Sequence, residues 1–144
     1  MRPSSAQPAR HPGRIVLTIA SLLALGLARP AVAAEEASPL AGTWMWTWKD
    51  GEGKMHKHVL DVESAAGKLT GRERFDDLES IKVDDLKLKG EEVSFTVKRG
   101  TRRSEYRGKL VGTKTINGLV NVSIEGQPNE FQWTAERAIE TKKP

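Results

Sequence analysis

From Gly42 onward the chain is built of short runs in which apolar and polar residues alternate, parted by only a few turn-forming residues. Alternation with a period of two is the pattern of a strand with one face buried. The runs read as Thr43–Lys49, Met55–Glu63, Lys68–Phe75, Ser80–Leu88, Glu92–Lys98, Arg102–Leu110, Thr115–Ile124 and Glu130–Arg137. No convincing helical period interrupts them. Separators such as Lys89-Gly90, Arg99-Gly100 and Val111-Gly112 are too short for a crossover, so neighbouring strands must be antiparallel. The expected fold is therefore all-β, an eight-stranded antiparallel up-and-down (meander) barrel. Closure of such a meander removes both sheet edges. Gly71, Gly108 and Gly118, each inside a run, suit the sharp bends of a small barrel. Ser80–Leu88 is the least regular run, and Asp84-Asp85 within it suggests a bulge or break.

The segment before these runs has a different character. Arg2, Arg10 and Arg14 precede the apolar run Ile15–Leu27, and Ala31-Val32-Ala33 follows it with a small-x-small pattern. A basic start, a short apolar stretch and such a site read as a secretory signal peptide. The run is shorter than the roughly 20 residues a spanning helix needs, so no stable membrane insertion is expected after cleavage. The domain reading is residues 1–33 signal peptide, 34–41 short linker, 42–138 barrel and 139–144 disordered tail. The expected location is periplasmic or secreted.

Setting the signal aside changes the charge argument. The chain has 23 Lys and Arg against 19 Asp and Glu, and four of the arginines (Arg2, Arg10, Arg14, Arg29) lie in the signal, where there is no acid. The domain that remains is formally neutral, so its basic character gives no ground for a nucleic-acid partner. There is no cysteine, which excludes disulfide staples, thiol chemistry and the lipidated cysteine of a lipoprotein. The core alone must hold the domain, and four Trp, three Phe and one Tyr are available for it.

Gly42-Thr43-Trp44 at the start of the barrel and Arg137 on its last strand together resemble the signature of the lipocalin and calycin superfamily. Leu40-Ala41-Gly42-Thr43-Trp44, with Lys68-Leu69-Thr70-Gly71 later, also resembles the opening of avidins. The chain is similar above all to short secreted bacterial domains that share these patterns, with Glu92–Val97, Tyr106–Leu110 and Trp133–Arg137. The resemblance implies the barrel and leaves the ligand open. No ligand contacts of avidins or lipocalins have matching motifs here.

Taking every second residue assigns the faces. The more apolar sets, placed inside, include Trp44, Trp46 and Trp48; His56, His58, Leu60 and Val62; Leu69, Gly71, Glu73 and Phe75; and Val93, Phe95 and Val97. They continue with Ser104, Tyr106, Gly108 and Leu110; Ile116, Gly118, Val120 and Val122; and Phe131, Trp133, Ala135 and Arg137. Because strand direction alternates, Trp44 and Arg137 fall at one end, where a cation–π contact on the order of 1–2 kcal/mol would help seal the barrel. Trp48, His56, Glu73, Phe75, Ser104 and Phe131 fall at the other end, which mixes aromatic and polar inward groups. Buried polar groups need partners, so that end is the expected site. Its expected ligand-binding residues are Trp46, Trp48, His58, Glu73, Phe75, Ser104, Tyr106 and Phe131.

His56 and His58 share a face, a spacing some metal sites use, but a site needs three or four ligands and the expectation is two partly exposed histidines with no metal. Glu73 is expected to pair with Arg102 or His58. No nucleophile elbow, P-loop, zincin helix or dinucleotide fingerprint occurs, so neither enzymatic activity nor a cofactor is expected. The expected function is non-enzymatic binding of a small hydrophobic or amphipathic ligand at the open end. The alternative is a structural or interaction module of the cell envelope, its barrel filled. Its charged exterior, notably the basic Lys98–Lys109 hairpin, would then meet an acidic or protein partner.

Overall fold

The computed structural model describes residues 36–139. The expected signal peptide and almost all of the expected tail lie outside the described residues. Nine strands follow one another: β1 (Gly42–Lys49), β2 (Met55–Ala65), β3 (Lys68–Phe75), β4 (Ile81–Lys82), β5 (Asp84–Lys89), β6 (Glu92–Arg99), β7 (Arg102–Val111), β8 (Thr115–Ile124) and β9 (Gln127–Arg137). They form one antiparallel sheet in the order β4-β3-β2-β1-β9-β8-β7-β6-β5, and no helix occurs among the described residues. Since β4 and β5 are consecutive, the two ends of the sheet meet at one corner and the meander curls into a nearly closed barrel.

The count of nine corrects the expected eight, and the reason is local. The irregular fourth run divides at Val83. Residues before it pair with β3 (Arg72↔Lys82, Glu73↔Ile81), while residues after it pair with β6. Val83 N donates to Gly71 O at 3.0 Å, and its side chain is buried. Asp85 takes a φ of 53°, and the register shifts between Asp84 and Lys87. Two adjacent aspartates are poor strand formers and tolerate such a kink. Gly71 is what lets the corner close. A Cβ there would lie 2.9 Å from Val83 Cγ2 and 3.0 Å from Leu86 Cδ2, closer than packed atoms allow.

The inward faces follow the alternation. Trp44, Trp46, Leu60, Phe95, Tyr106, Ile116, Val120 and Trp133 belong to a single buried cluster. Burying so many large side chains supplies most of the stability of a small domain that lacks cross-links.

One seam of the barrel is incomplete. β1 pairs with β2 along its whole length, from Gly42↔Val62 to Lys49↔Met55. With β9 it pairs only at Trp44↔Arg137 and Met45↔Glu136. Beyond Met45 the two strands part, leaving Trp46 and Trp48 on one side of the opening and Phe131 and Trp133 on the other.

At the other end the barrel is closed by the residues before β1. Leu40 is fully buried under Trp44, whose Nε1 donates to Leu40 O at 2.8 Å. The Arg137 guanidinium carbon lies 4.4 Å from the centre of the Trp44 ring, the contact expected from the two anchors. Arg137 also donates to the carbonyls of Thr113 (2.6 Å), Ala41 and Pro39. Gly42, at a φ of 127°, leaves room for that guanidinium; a Cβ there would collide with it.

Candidate functional site

The parted strands give the open end its geometry. Between β1 and β9 lies a cavity of about 360 Å³, walled by Trp46, Trp48, Tyr106, Phe131 and Trp133 and reached by His58 and Arg102. A smaller cavity of about 170 Å³ adjoins it, lined by Phe75, Val97, Arg99 and Ser104. His58, Arg102 and Tyr106 line both.

Aromatic contacts fix the walls. Trp46 stacks on the His58 ring at 4.9 Å with the planes 3° apart, and meets Tyr106 and Trp133 edge-on or tilted at 5.4 and 5.2 Å. Tyr106 stacks on Phe95 at 4.5 Å. Burial pushes the Tyr106 phenol well above its usual pKa, and the nearby Glu73 charge adds to the effect. It is therefore neutral throughout the physiological range.

Behind this wall the polar groups satisfy one another. Glu73, only 1 % exposed, accepts from His58 Nδ1 at 2.6 Å and from Arg99 Nη2 at 2.7 Å. Arg99 also donates to the backbone carbonyls of Glu73 (2.9 Å) and Glu79 (3.1 Å). Burial alone would raise the Glu73 pKa, but the hydrogen bonds from His58 and Arg99 outweigh it and hold the carboxyl below its ordinary value.

A second constellation braces the turns. His56 sits between Trp48 and Phe75, with ring centres 5.2 and 5.1 Å away. Its Nδ1 meets Asp76 at 2.7 Å and its Nε2 meets Asp50 at 3.0 Å. Asp50 and Asp76 also accept from backbone amides, so the β1–β2 and β3–β4 turns are tied together through one imidazole. Hydrogen bonds to Asp76 and Asp50 raise the His56 pKa, and the same bonds lower those of both aspartates. The two carboxylates hold opposite nitrogens of the ring, an arrangement that cannot converge on one ion. Among the described residues no three His, Asp or Glu side chains are grouped to hold a metal.

The expected site residues thus divide. Trp46, Trp48, His58, Tyr106 and Phe131 meet at the larger cavity, Phe131 at its rim with half its surface exposed. Phe75 and Ser104 line the smaller one with His58 and Tyr106. Glu73 lines neither; it holds His58 and Arg99 in place from behind. One expectation is corrected. His58 is buried rather than partly exposed, because Trp46 covers one face of its ring. Glu73 pairs with His58, one of its two expected partners, and also with Arg99. Arg102 instead lies over Trp48, its guanidinium carbon 5.8 Å from the ring centre.

Arg99 and Arg102 were not among the expected site residues, although the signal for them was present. Arg99 is two positions beyond Val97, and Arg102 two positions before Ser104. Extending each inward set by one step places both at the open end. The outer charges of this hairpin are largely internally paired: Lys98 with Asp84 (2.9 Å), Arg103 with Glu105 (2.7 Å) and Lys109 with Glu91 (3.1 Å). No protein-family model and no curated protein sequence matches the chain.

Proposed function

We propose that this is an exported, lipocalin-like, non-enzymatic protein that binds one small hydrophobic or amphipathic molecule through the opening between β1 and β9. The observation that carries the reading is the aromatic-walled cavity of about 360 Å³ at the end remote from Trp44 and Arg137. Ligand sites are apolar concavities of roughly 300–1,000 Å³ with a few placed polar groups, so this one suits a molecule of one or two rings or a short acyl chain. Its location follows from the opening of the ladder, which removes the wall a fully paired β1 and β9 would make. Export rests on the pattern of residues 1–33. The non-enzymatic reading is supported by the lack of any recognisable catalytic motif in the sequence and by Glu73, the buried carboxylate of this end, being held by His58 and Arg99 behind the cavity.

The alternative, a structural or interaction module of the cell envelope with a filled barrel acting through its charged outer surface, is less well supported. Two cavities adjoin at the open end, and the bases of the Lys98–Lys109 hairpin mostly have acidic neighbours on their own chain. Such exposed pairs are weak, but they leave little net charge for an acidic partner.

The test is a fluorescence titration with phenylnaphthylamine, a neutral probe that brightens in apolar surroundings. Saturable brightening at one probe per chain, with quenching of tryptophan emission, is the expected outcome. A flat titration would remove the binding function and favour the alternative.

A further inference from the structure

We propose that the ligand of this cavity is an amphipathic anion. Its apolar body would lie against Trp46, Phe131 and Trp133, and its carboxylate or sulfonate head would be held by Arg102 and the Trp48 indole N–H. The proposal rests on the binding function proposed above and narrows it to a chemical class.

Three observations carry it. The first is the charge of the lining. Lys49 and Arg102 border the larger cavity and Arg99 and Arg102 the smaller, and no carboxylate side chain borders either. Glu73 lies behind His58 and is already bonded to it and to Arg99.

The second is the difference between the two arginines at this end. Arg99 spends its donors on Glu73 and on two backbone carbonyls. Arg102 has neither an ion pair nor a side-chain hydrogen bond among the described residues, yet it borders both cavities and lies over Trp48. A guanidinium offers five donors and no acceptor, and its fork matches a carboxylate or sulfonate.

The third is Trp48 itself. Its Nε1 is the one buried side-chain polar atom without a hydrogen-bond partner among the described residues. Buried donors are nearly always satisfied, and leaving one unmade is costly. The unpartnered N–H belongs to the same ring that Arg102 covers, and that ring is a wall of the larger cavity. Such a spot selects an acceptor bearing negative charge. An ammonium group would meet the like charge of Arg102 there, and a neutral amphiphile would leave the guanidinium uncompensated.

A matched pair of probes tests this. Anilinonaphthalene sulfonate carries the ring system of phenylnaphthylamine with an anionic head added. At moderate ionic strength the wild-type protein is expected to bind the sulfonate about tenfold or more tightly than its neutral twin, the scale of one charge-assisted hydrogen bond. Arg102→Gln is expected to remove that preference, so that the two probes bind it about equally, with a wild-type circular dichroism spectrum reporting that the barrel has folded. Trp48→Phe keeps an aromatic ring and removes the donor, and is expected to narrow the ratio between the two affinities. Equal affinities in the wild type, or a preference that survives both substitutions, would overturn the anion proposal while the binding function stands. If neither probe binds the wild type, both fall.

Discussion

Trp44 and Trp48 lie four residues apart on the same face of β1, each with an arginine over its ring, and the two pairs do different things. At Trp44 the indole nitrogen and all three guanidinium nitrogens have acceptors. Its indole N–H meets Leu40 O, and Arg137 meets three backbone carbonyls as well as the ring. At Trp48 the N–H has no partner among the described residues and Arg102 reaches no carbonyl. The difference comes from the neighbouring backbone. Pro39 to Ala41 fold over the first end and supply acceptors, while β1 and β9 part at the second and supply none. The same chemical pair is thus a seal where the chain can satisfy it and, under the proposed function, a receptor where the chain cannot.

Paired substitutions bring the largest contrast. Trp44→Ala is expected to destabilise the protein by about 3–5 kcal/mol, the cost of emptying a fully buried aromatic site. Trp48→Ala, with a partly exposed side chain, is expected to cost no more than about 1–2 kcal/mol. Urea unfolding of both variants measures the gap, and equal losses would erase the distinction between the ends.

A middle-sized effect concerns the network behind the cavity. Glu73→Gln removes the charge that His58 and Arg99 share. Because Arg99 is partly solvated, the expected loss is about 2–3 kcal/mol, below the 3–5 of a fully buried pair. The Glu73 pKa is held below its ordinary 4.5, so its contribution is present above that value and fades as pH falls through the lower folded-state value. Acid unfolding followed by tryptophan fluorescence should therefore be less steep in the Gln variant than in the wild type.

The smallest effect is a pH window at the turns. The His56 pKa is raised above 6.5, so its contribution is complete below that value and fades as pH rises through the folded-state pKa. The Asp50 and Asp76 pKa values are lowered from 3.8, so theirs is complete above that value and fades as pH falls. The clamp should be tightest between about pH 4 and 6.5. Amide exchange of residues 50–54 and 76–79, compared with that at the sealed end, should slow inside this window and quicken outside it. Uniform exchange across it would show that the clamp does not brace the open end.

Much of this contrast could be read from the sequence. Period-two alternation placed Trp44, Trp46, Leu60, Phe95, Tyr106 and Trp133 inside, because a strand with one wet face leaves little freedom in the matter. Asp84-Asp85 marked the irregular fourth run, although its division into two strands came from the handover between β3 and β6, a tertiary demand. What alternation could not give was adjacency across the barrel. Arg99 and Arg102 are register partners on either side of one turn, and which of them reaches Glu73 depends on how β3 comes to lie near β6. The early parting of β1 and β9 was equally hidden. It reflects strand divergence in a twisted, closing sheet, and no residue of β1 announces it. Leu40, expected in a linker, joins the core because Trp44 needs an acceptor beside it.

The four indole N–H groups offer the most direct measurement, since each gives its own resonance and together they mark both ends. Heteronuclear NMR during a titration with anilinonaphthalene sulfonate should shift the Trp48 indole most, with Trp46 and Trp133 following and Trp44 unmoved. A Trp44 resonance that moves as far as that of Trp48, or a saturated probe that leaves Trp48 in place, would contradict the division of the barrel into a sealed end and a binding end.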